Sequence, residues 1–235
     1  MTDKVIFKPG NMLYPLPAVM VSCAGKDGTD NILTVAWTGT VCSDPPMLYI
    51  SVRPNRFSHH MIEETGEFVV NLTTEQLAKA ADYCGVRSGK DVDKWNEMKL
   101  TRKKTESLQY APAIAECPVN IECKVREIIR LGTHDMFLAD VTGVQVSSEY
   151  MNENGKFELN KTGLIAYSHG EYLTLGKQLG TFGFSVKKKK RKKENKLCKK
   201  KGRTRRLEKF VPDSGFYLYL PMNKVTGEKN EAGTA

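Results

Sequence analysis

The chain has 235 residues, room for one well-buried core plus an appendage at the usual domain size of about 100–200 residues. Its formal charge of +9 is uneven: residues 1–186 hold 19 Lys/Arg against 22 Asp/Glu, residues 187–206 hold 14 against Glu194 alone, and residues 207–235 hold 3 against 4. The body is therefore mildly acidic, which excludes a generally basic nucleic-acid-binding fold, and no run nears the roughly 20 apolar residues that span a bilayer.

Ala18–Ala24 reads as a buried strand, and the Gly- and Asp-rich run 25–30 as a turn into a second strand, Asn31–Trp37, rich in β-branched residues. Thr38-Gly39-Thr40 is predicted to be a turn, where two hydroxyls and a residue without Cβ let backbone amides approach an anion. Asp44-Pro45-Pro46 interrupts regular structure before a third strand, Met47–Val52. The short connections predict an antiparallel meander of these three strands. Arg53, Arg56 and Ser58 then place two guanidiniums and a hydroxyl where a helix starts, a set suited to phosphate. On residue types alone, two ordinary strands with surface arginines fit the stretch equally well.

The helix is predicted from Ser58 as N-cap to Gly66 as C′ glycine, followed by a strand at Phe68–Leu72. Thr73 and Gln76 form a potential capping box for a helix carrying Leu77, Ala80, Ala81 and Cys84 at helical spacing. From Gly85 to Pro118 the chain turns polar and irregular. Within it, Ser88–Trp95 is the loop expected to reach a ligand, with Trp95 anchoring Lys94 over a phosphate; the alternative is a solvated loop with Trp95 covering the core. Val119, Ile121, Cys123 and Val125 alternate with polar residues, and the phase slips near Glu127-Ile128-Ile129, predicting a bulge. Gly132-Thr133-His134-Asp135 turns into Met136–Val146, and further strands are expected at Leu164–Ser168 and Tyr172–Leu175. Many short strands with few helices argue for a closed β architecture. Gly176, Gly180 and Gly183 lack dinucleotide-loop spacing, so any nicotinamide cofactor must bind without a Rossmann unit.

Asn31, Ile32, Thr34, Ala36 and Trp37, then Asp44-Pro45-Pro46, Ser51, Arg53, Arg56 and Ser58, stand in the order N-I-x-T-x-[AS]-W, D-P-P, S-x-R, R-x-S. This resembles the signature of the flavin reductase-like family, in its flavoredoxin branch of FMN-binding split barrels. The similarity continues through Cys84–Trp95 and Gly132-Thr133-His134 to about Lys190. The resemblance implies a mainly β fold, an FMN-binding split β-barrel with a few short helices over residues 1–190, and leaves 191–235 as an extension without counterpart. It implies FMN as cofactor and favours Asn31, Trp37, Ser58, Lys94, His134 and Tyr167 around it. Arg53, Arg56, Ser58 and Lys94 are the candidates for phosphate, Thr38, Gly39 and Thr40 for backbone and hydroxyl contacts, and Ser51 belongs to the matching motif. A turn histidine such as His134 is more often simply exposed, which is the alternative reading of that residue. No catalytic side chain is required, because the flavin carries the redox chemistry. The implied activity is hydride transfer from NADH or NADPH to flavin, with electrons passed to free flavin, a redox protein, a metal ion or oxygen. A pure electron carrier and a homodimer are also within what the family implies.

The six cysteines include no C-x-x-C pair, the four histidines complete no zinc site, and the N-terminus lacks a signal-peptide layout, so a reduced, cytoplasmic protein is expected. Lys187–Arg206 has almost no apolar content and is expected to be disordered, able to neutralise nucleic-acid phosphates or favour an anionic membrane surface. This supplies a rival function: a nucleic-acid-binding protein acting through its tail on an inert barrel.

Overall fold

A computed structural model describes residues 3–187, in two units, one ending at Leu175 and the other beginning at Gly176. The expectations for the basic segment beyond Lys187, and the boundary between residues 190 and 191, lie outside the described residues. In the first unit the strands are β1 (Leu16–Pro17), β2 (Val19–Ala24), β3 (Asp30–Val35), β4 (Thr38–Ser43), β5 (Pro46–Val52) and β6 (Glu67–Leu72). They continue with β7 (Arg102–Lys103), β8 (Ala113–Ile114), β9 (Val119–Arg130), β10 (Asp135–Val146), β11 (Ile165–Ser168) and β12 (Glu171–Thr174). Three short helices interrupt them: α1 (Phe57–Thr65), α2 (Ala78–Val86) and α3 (Lys94–Glu97).

The main sheet has the order β3-β2-β6-β9-β10-β5-β4, all antiparallel neighbours. Its two outermost strands, β3 and β4, are consecutive in sequence and joined only by Ala36 and Trp37. Seven strands can have such neighbours at opposite ends only if the sheet curls round on itself, so it forms a barrel, and a backbone bond from Ser51 N–H to Trp37 O extends the β4–β5 ladder up to that short link. Alternation fills the interior: Val19, Val21 and Cys23 of β2 meet Leu33, Ile50, Phe68, Cys123 and Phe137. Met20 and Ile32, on the other face, pack under α2 and α3 against Ala80, Ala81, Cys84 and Trp95. With both faces covered, β2 reads as the continuous apolar run seen in the sequence.

Several local expectations are corrected. Thr38–Thr40 is not a turn but the start of β4, laddered to Ile50, Tyr49 and Leu48. The three-strand meander does not form: β2 and β3 pair, but β5 crosses to β10 and β4. Arg56, not Ser58, precedes the first helical residue of α1, and Ser58 lies within its first turn, fully buried. Gly66 does end that helix, at φ 67°. The capping box is absent: Glu75–Leu77 is a 3-10 turn leading into α2, and the Thr74 hydroxyl bonds Gln76 instead. The expected bulge sits at Arg126, skipped between the pairs Glu127–Leu138 and Val125–Ala139.

The irregular segment before β8 is held by acids that the sequence did not single out. Glu122 of β9, fully buried, accepts from the amides of Glu106 and Ser107, the Ser107 hydroxyl and Gln145 Nε2. Glu67 of β6 accepts from the amides of Gln109 and Tyr110. No described helix is long and apolar enough to cross a membrane. In the second unit, Gly183 at φ 76° precedes a 3-10 turn at Phe184–Val186.

Candidate functional site

The start of β3, the start of α1 and the chain leaving α2 converge on a cleft of about 230 Å³. Its floor is buried and polar. Asn31 donates through Nδ2 to Ser58 Oγ at 2.8 Å, and both side chains are shut away from bulk solvent. Lys94, 3% exposed, donates through Nζ to the carbonyls of Ile32 at 2.6 Å and Cys84 at 2.9 Å. It reaches this position because Asp93 caps α3, accepting from the amides of Trp95 and Asn96, while Trp95 anchors in the core beneath. Burial holds the Lys94 ammonium down to about 8, against an ordinary value of 10.5.

Four cations line the cleft, Arg53, Arg56, Arg87 and Lys94, and no carboxylate does. Arg56 Nη1 donates to Gly85 O, so Arg56 and Lys94 between them take up two carbonyls at the C-terminal end of α2. That end would otherwise present a partial negative charge. Gly89 closes the cleft from above. A Cβ there would stand 2.3 Å from Asn31 Oδ1 and 2.8 Å from Phe57, so only glycine lets the backbone lie against this floor.

A second cleft of about 440 Å³ shares Asn31, Gly89 and Lys94 with the first. Its character differs, with Asp30, Asp91 and Asp93 among its lining residues. Asp30 is paired to Arg102, whose guanidinium lies 4.7 Å over the Trp95 ring.

Of the residues singled out from the sequence, Asn31, Arg53, Arg56, Ser58 and Lys94 come together in the first cleft. Trp37 and His134 form a neighbouring pair, rings edge-on with centroids 4.3 Å apart. Burial and the charges of Arg53 and Arg56 lower the His134 pKa, which favours the neutral ring. Thr38 bonds Tyr49 O through its hydroxyl, while Gly39, Thr40 and Ser51 lie on the β4–β5 ladder. Tyr167 packs with Tyr14 and Tyr172, and lines neither cleft. Arg87 was not singled out; its place directly after the Leu77–Cys84 helical pattern and before Ser88-Gly89 was the available signal.

The geometry is that of a polar, cation-rich pocket for an anionic group, closed by a glycine loop. A family model described as flavin reductase like domain matches residues 12–176. The chain is similar to flavoredoxin of Desulfovibrio vulgaris (Miyazaki F), at 28% identity and a TM-score of 0.72, covering 79% of this chain and 100% of that one. It is similar also to flavoredoxin from Methanosarcina acetivorans, at 28% identity and a TM-score of 0.71 with the same shares covered. Over 130 residues it is 26% identical to the reductase component of an FADH(2)-dependent resorcinol hydroxylase from Rhizobium sp. (strain MTP-10005), covering 55% of this chain and 69% of that one.

Proposed function

The chain belongs to the flavin reductase-like domain family, and from that premise we propose that it is an FMN-binding flavoprotein that takes electrons from NADH or NADPH and passes them on. The observation that carries this reading is the cleft itself. Four cations without a carboxylate, over a floor of Asn31, Ser58 and Lys94, fit a phosphate monoester, which carries about −1.5 to −2 near neutral pH. Bound there, the flavin would supply the redox chemistry.

The residues of the chain bind and position. Arg53, Arg56 and Lys94 neutralise the phosphate, Ser58 and Asn31 offer it hydrogen bonds, and Gly89 keeps the loop close above. Trp37 and His134 extend the binding set toward the ring system, with neutral His134 offering a hydrogen bond without repelling a cationic nicotinamide. Thr38 to Thr40, Ser51 and Tyr167 complete the proposed cofactor-binding set from outside the cleft, the first four from the β4–β5 ladder and Tyr167 from beside Tyr14 and Tyr172. We also infer a homodimer in a reducing, cytoplasmic setting, a binding unit within residues 1–190, and a redox protein or free flavin as acceptor.

The test is the visible spectrum of the purified protein together with quenching of added FMN fluorescence. One FMN per chain, bleached anaerobically by NADH or NADPH, is the expected result. A protein that neither carries nor quenches FMN overturns the reading. FMN that binds but is not reduced by either dinucleotide makes the protein an electron carrier rather than a reductase.

A further inference from the structure

The cationic cleft carries more positive charge than one phosphate uses. Arg56 and Lys94 offset the partial charge of about −0.5 at the C-terminal end of α2. A phosphate monoester supplies at most about −2. More than one positive charge is then left unmatched, and the acids nearby do not match it. Asp30 is paired with Arg102, Asp93 is bonded to the amides that open α3, and Asp91 lines the neighbouring cleft, not this one.

The surplus lies at the rim. Asn31, Ser58 and Lys94 are buried at the floor, whereas Arg53, Arg56 and Arg87 are exposed and Ser88 is half-buried; of the three arginines, Arg87 belongs to the loop side of the cleft, beside Ser88 and away from the α1 start that carries Arg53 and Arg56. The Arg87 guanidinium has no hydrogen-bond or ion-pair partner among the described residues, although its backbone amide is fixed to Tyr83 O at the end of α2. A charged side chain on an anchored backbone, lining a pocket and without a partner of its own, is available to a ligand without first breaking a bond inside the protein.

We propose that the cleft holds a second phosphoryl group outside the first, with Arg87 and Ser88 as its binding residues; this rests on reading the floor as a flavin-phosphate site. The ligand class is a nucleotide bearing a further phosphate in reach of the first. Two sources share that chemistry: the outer phosphate of FAD and the 2′-phosphate of NADPH.

The test uses the full chain stripped of flavin, with inorganic phosphate and pyrophosphate as probes read by thermal shift, and with Arg87→Ala and Arg87→Lys. Pyrophosphate should bind about tenfold or more tightly than phosphate, Arg87→Ala should remove most of that difference, and Arg87→Lys should keep part of it. Pyrophosphate no better than phosphate, or a loss in Arg87→Ala equal for both probes, overturns the proposal. The sources are separated by titrating FMN and FAD and by comparing KM for NADH and NADPH. A loss in Arg87→Ala confined to FAD assigns the diphosphate, one confined to NADPH assigns the 2′-phosphate, and a loss in neither overturns the second site. A wild-type protein that fails to bind FMN sinks the flavin reading in the same titration, while the pyrophosphate comparison still reads the rim.

Discussion

Replacing Gly89 by alanine tests the cleft at its tightest point. The added Cβ would lie 2.3 Å from Asn31 Oδ1, 2.6 Å from Asn31 Cγ and 2.8 Å from Phe57 Cδ1, where ordinary contacts begin at 3.4 Å. The Asn31 amide must therefore move by about 1 Å or more, and it cannot do so while keeping its 2.8 Å bond to Ser58 Oγ. Overpacking costs about 1–3 kcal/mol and a broken buried hydrogen bond about 1–3 kcal/mol, so Gly89→Ala should lose roughly 2–6 kcal/mol. For a chain of this size that is a fall in Tm of roughly 4–24 °C. The assay is chemical denaturation of Gly89→Ala, Asn31→Ala and the double variant. If the clash with Asn31 is the cause, the glycine substitution should cost at least about 1 kcal/mol less once Asn31 is already alanine. Costs that add to within about 0.5 kcal/mol would refute the reasoning, since the two sites would then not be in contact as described.

Arg56→Ala should weaken FMN by about 1.5–3 kcal/mol while hardly touching riboflavin, measured by fluorescence quenching; an equal loss for both would remove Arg56 from the phosphate. FMN affinity should fall as pH rises through about 8, where native Lys94 loses its proton, and Lys94→Met should flatten that dependence. The same depressed pKa makes the ligand-free protein gain stability between about pH 8 and 10.5, because there the unfolded chain binds the proton that the native state has released. Burial raises the Asp135 pKa, but bonds from Arg130 and His59 outweigh it and hold the carboxyl below its ordinary value. Its contribution is present above the unfolded pKa of about 3.8 and is lost as pH falls through the lower folded value, so Asp135→Asn should cost about 1–3 kcal/mol at pH 7 and show a flatter acid limb in urea titrations. FMN in hundredfold excess over Kd should add about 2.7 kcal/mol of stability, and a chain ending at Lys190 should show the same gain; loss of that gain in a folded truncated protein would move the tail into the site.

What the sequence makes legible here is what repeats along it. Val119, Ile121, Cys123 and Val125 announce β9, and the run Val19–Ala24 announces a strand covered on both faces. Pairing partners were not legible, because connection length suggests neighbours but the ladder is decided across the barrel, as β5 choosing β10 over β3 shows. Thr38–Thr40 looked like a turn since small hydroxylated residues with a glycine favour one, yet backbone bonds to β5 need no large side chain. Ser58 had the chemistry of an N-cap, but its hydroxyl is taken by Asn31, a partner 27 residues away that no local rule names. Five of the twelve singled-out site residues meet in one cleft because motif residues near strand ends and helix starts are carried there by the barrel's curl.

Lys94 shows why such a site resists division into structural and binding parts. The C-terminal end of α2 carries partial negative charge, worth about 0.3–1 kcal/mol against a nearby anion at an exposed helix end. Lys94 and Arg56 bind the Cys84 and Gly85 carbonyls there, so the contacts that end the helix also reverse the sign of the cleft. Forming the α2–α3 connection and making the pocket cationic are therefore one event. Substituting Lys94 thus disturbs the helix end and the ligand together. Arg53 lines the same cleft without a carbonyl or carboxylate partner among the described residues, so its removal should leave the unfolding midpoint of the ligand-free protein within about 0.5 kcal/mol of the parent while weakening the phosphate ligand. A drop in ligand-free stability as large as that of Lys94→Met would show that the two cations share the structural role.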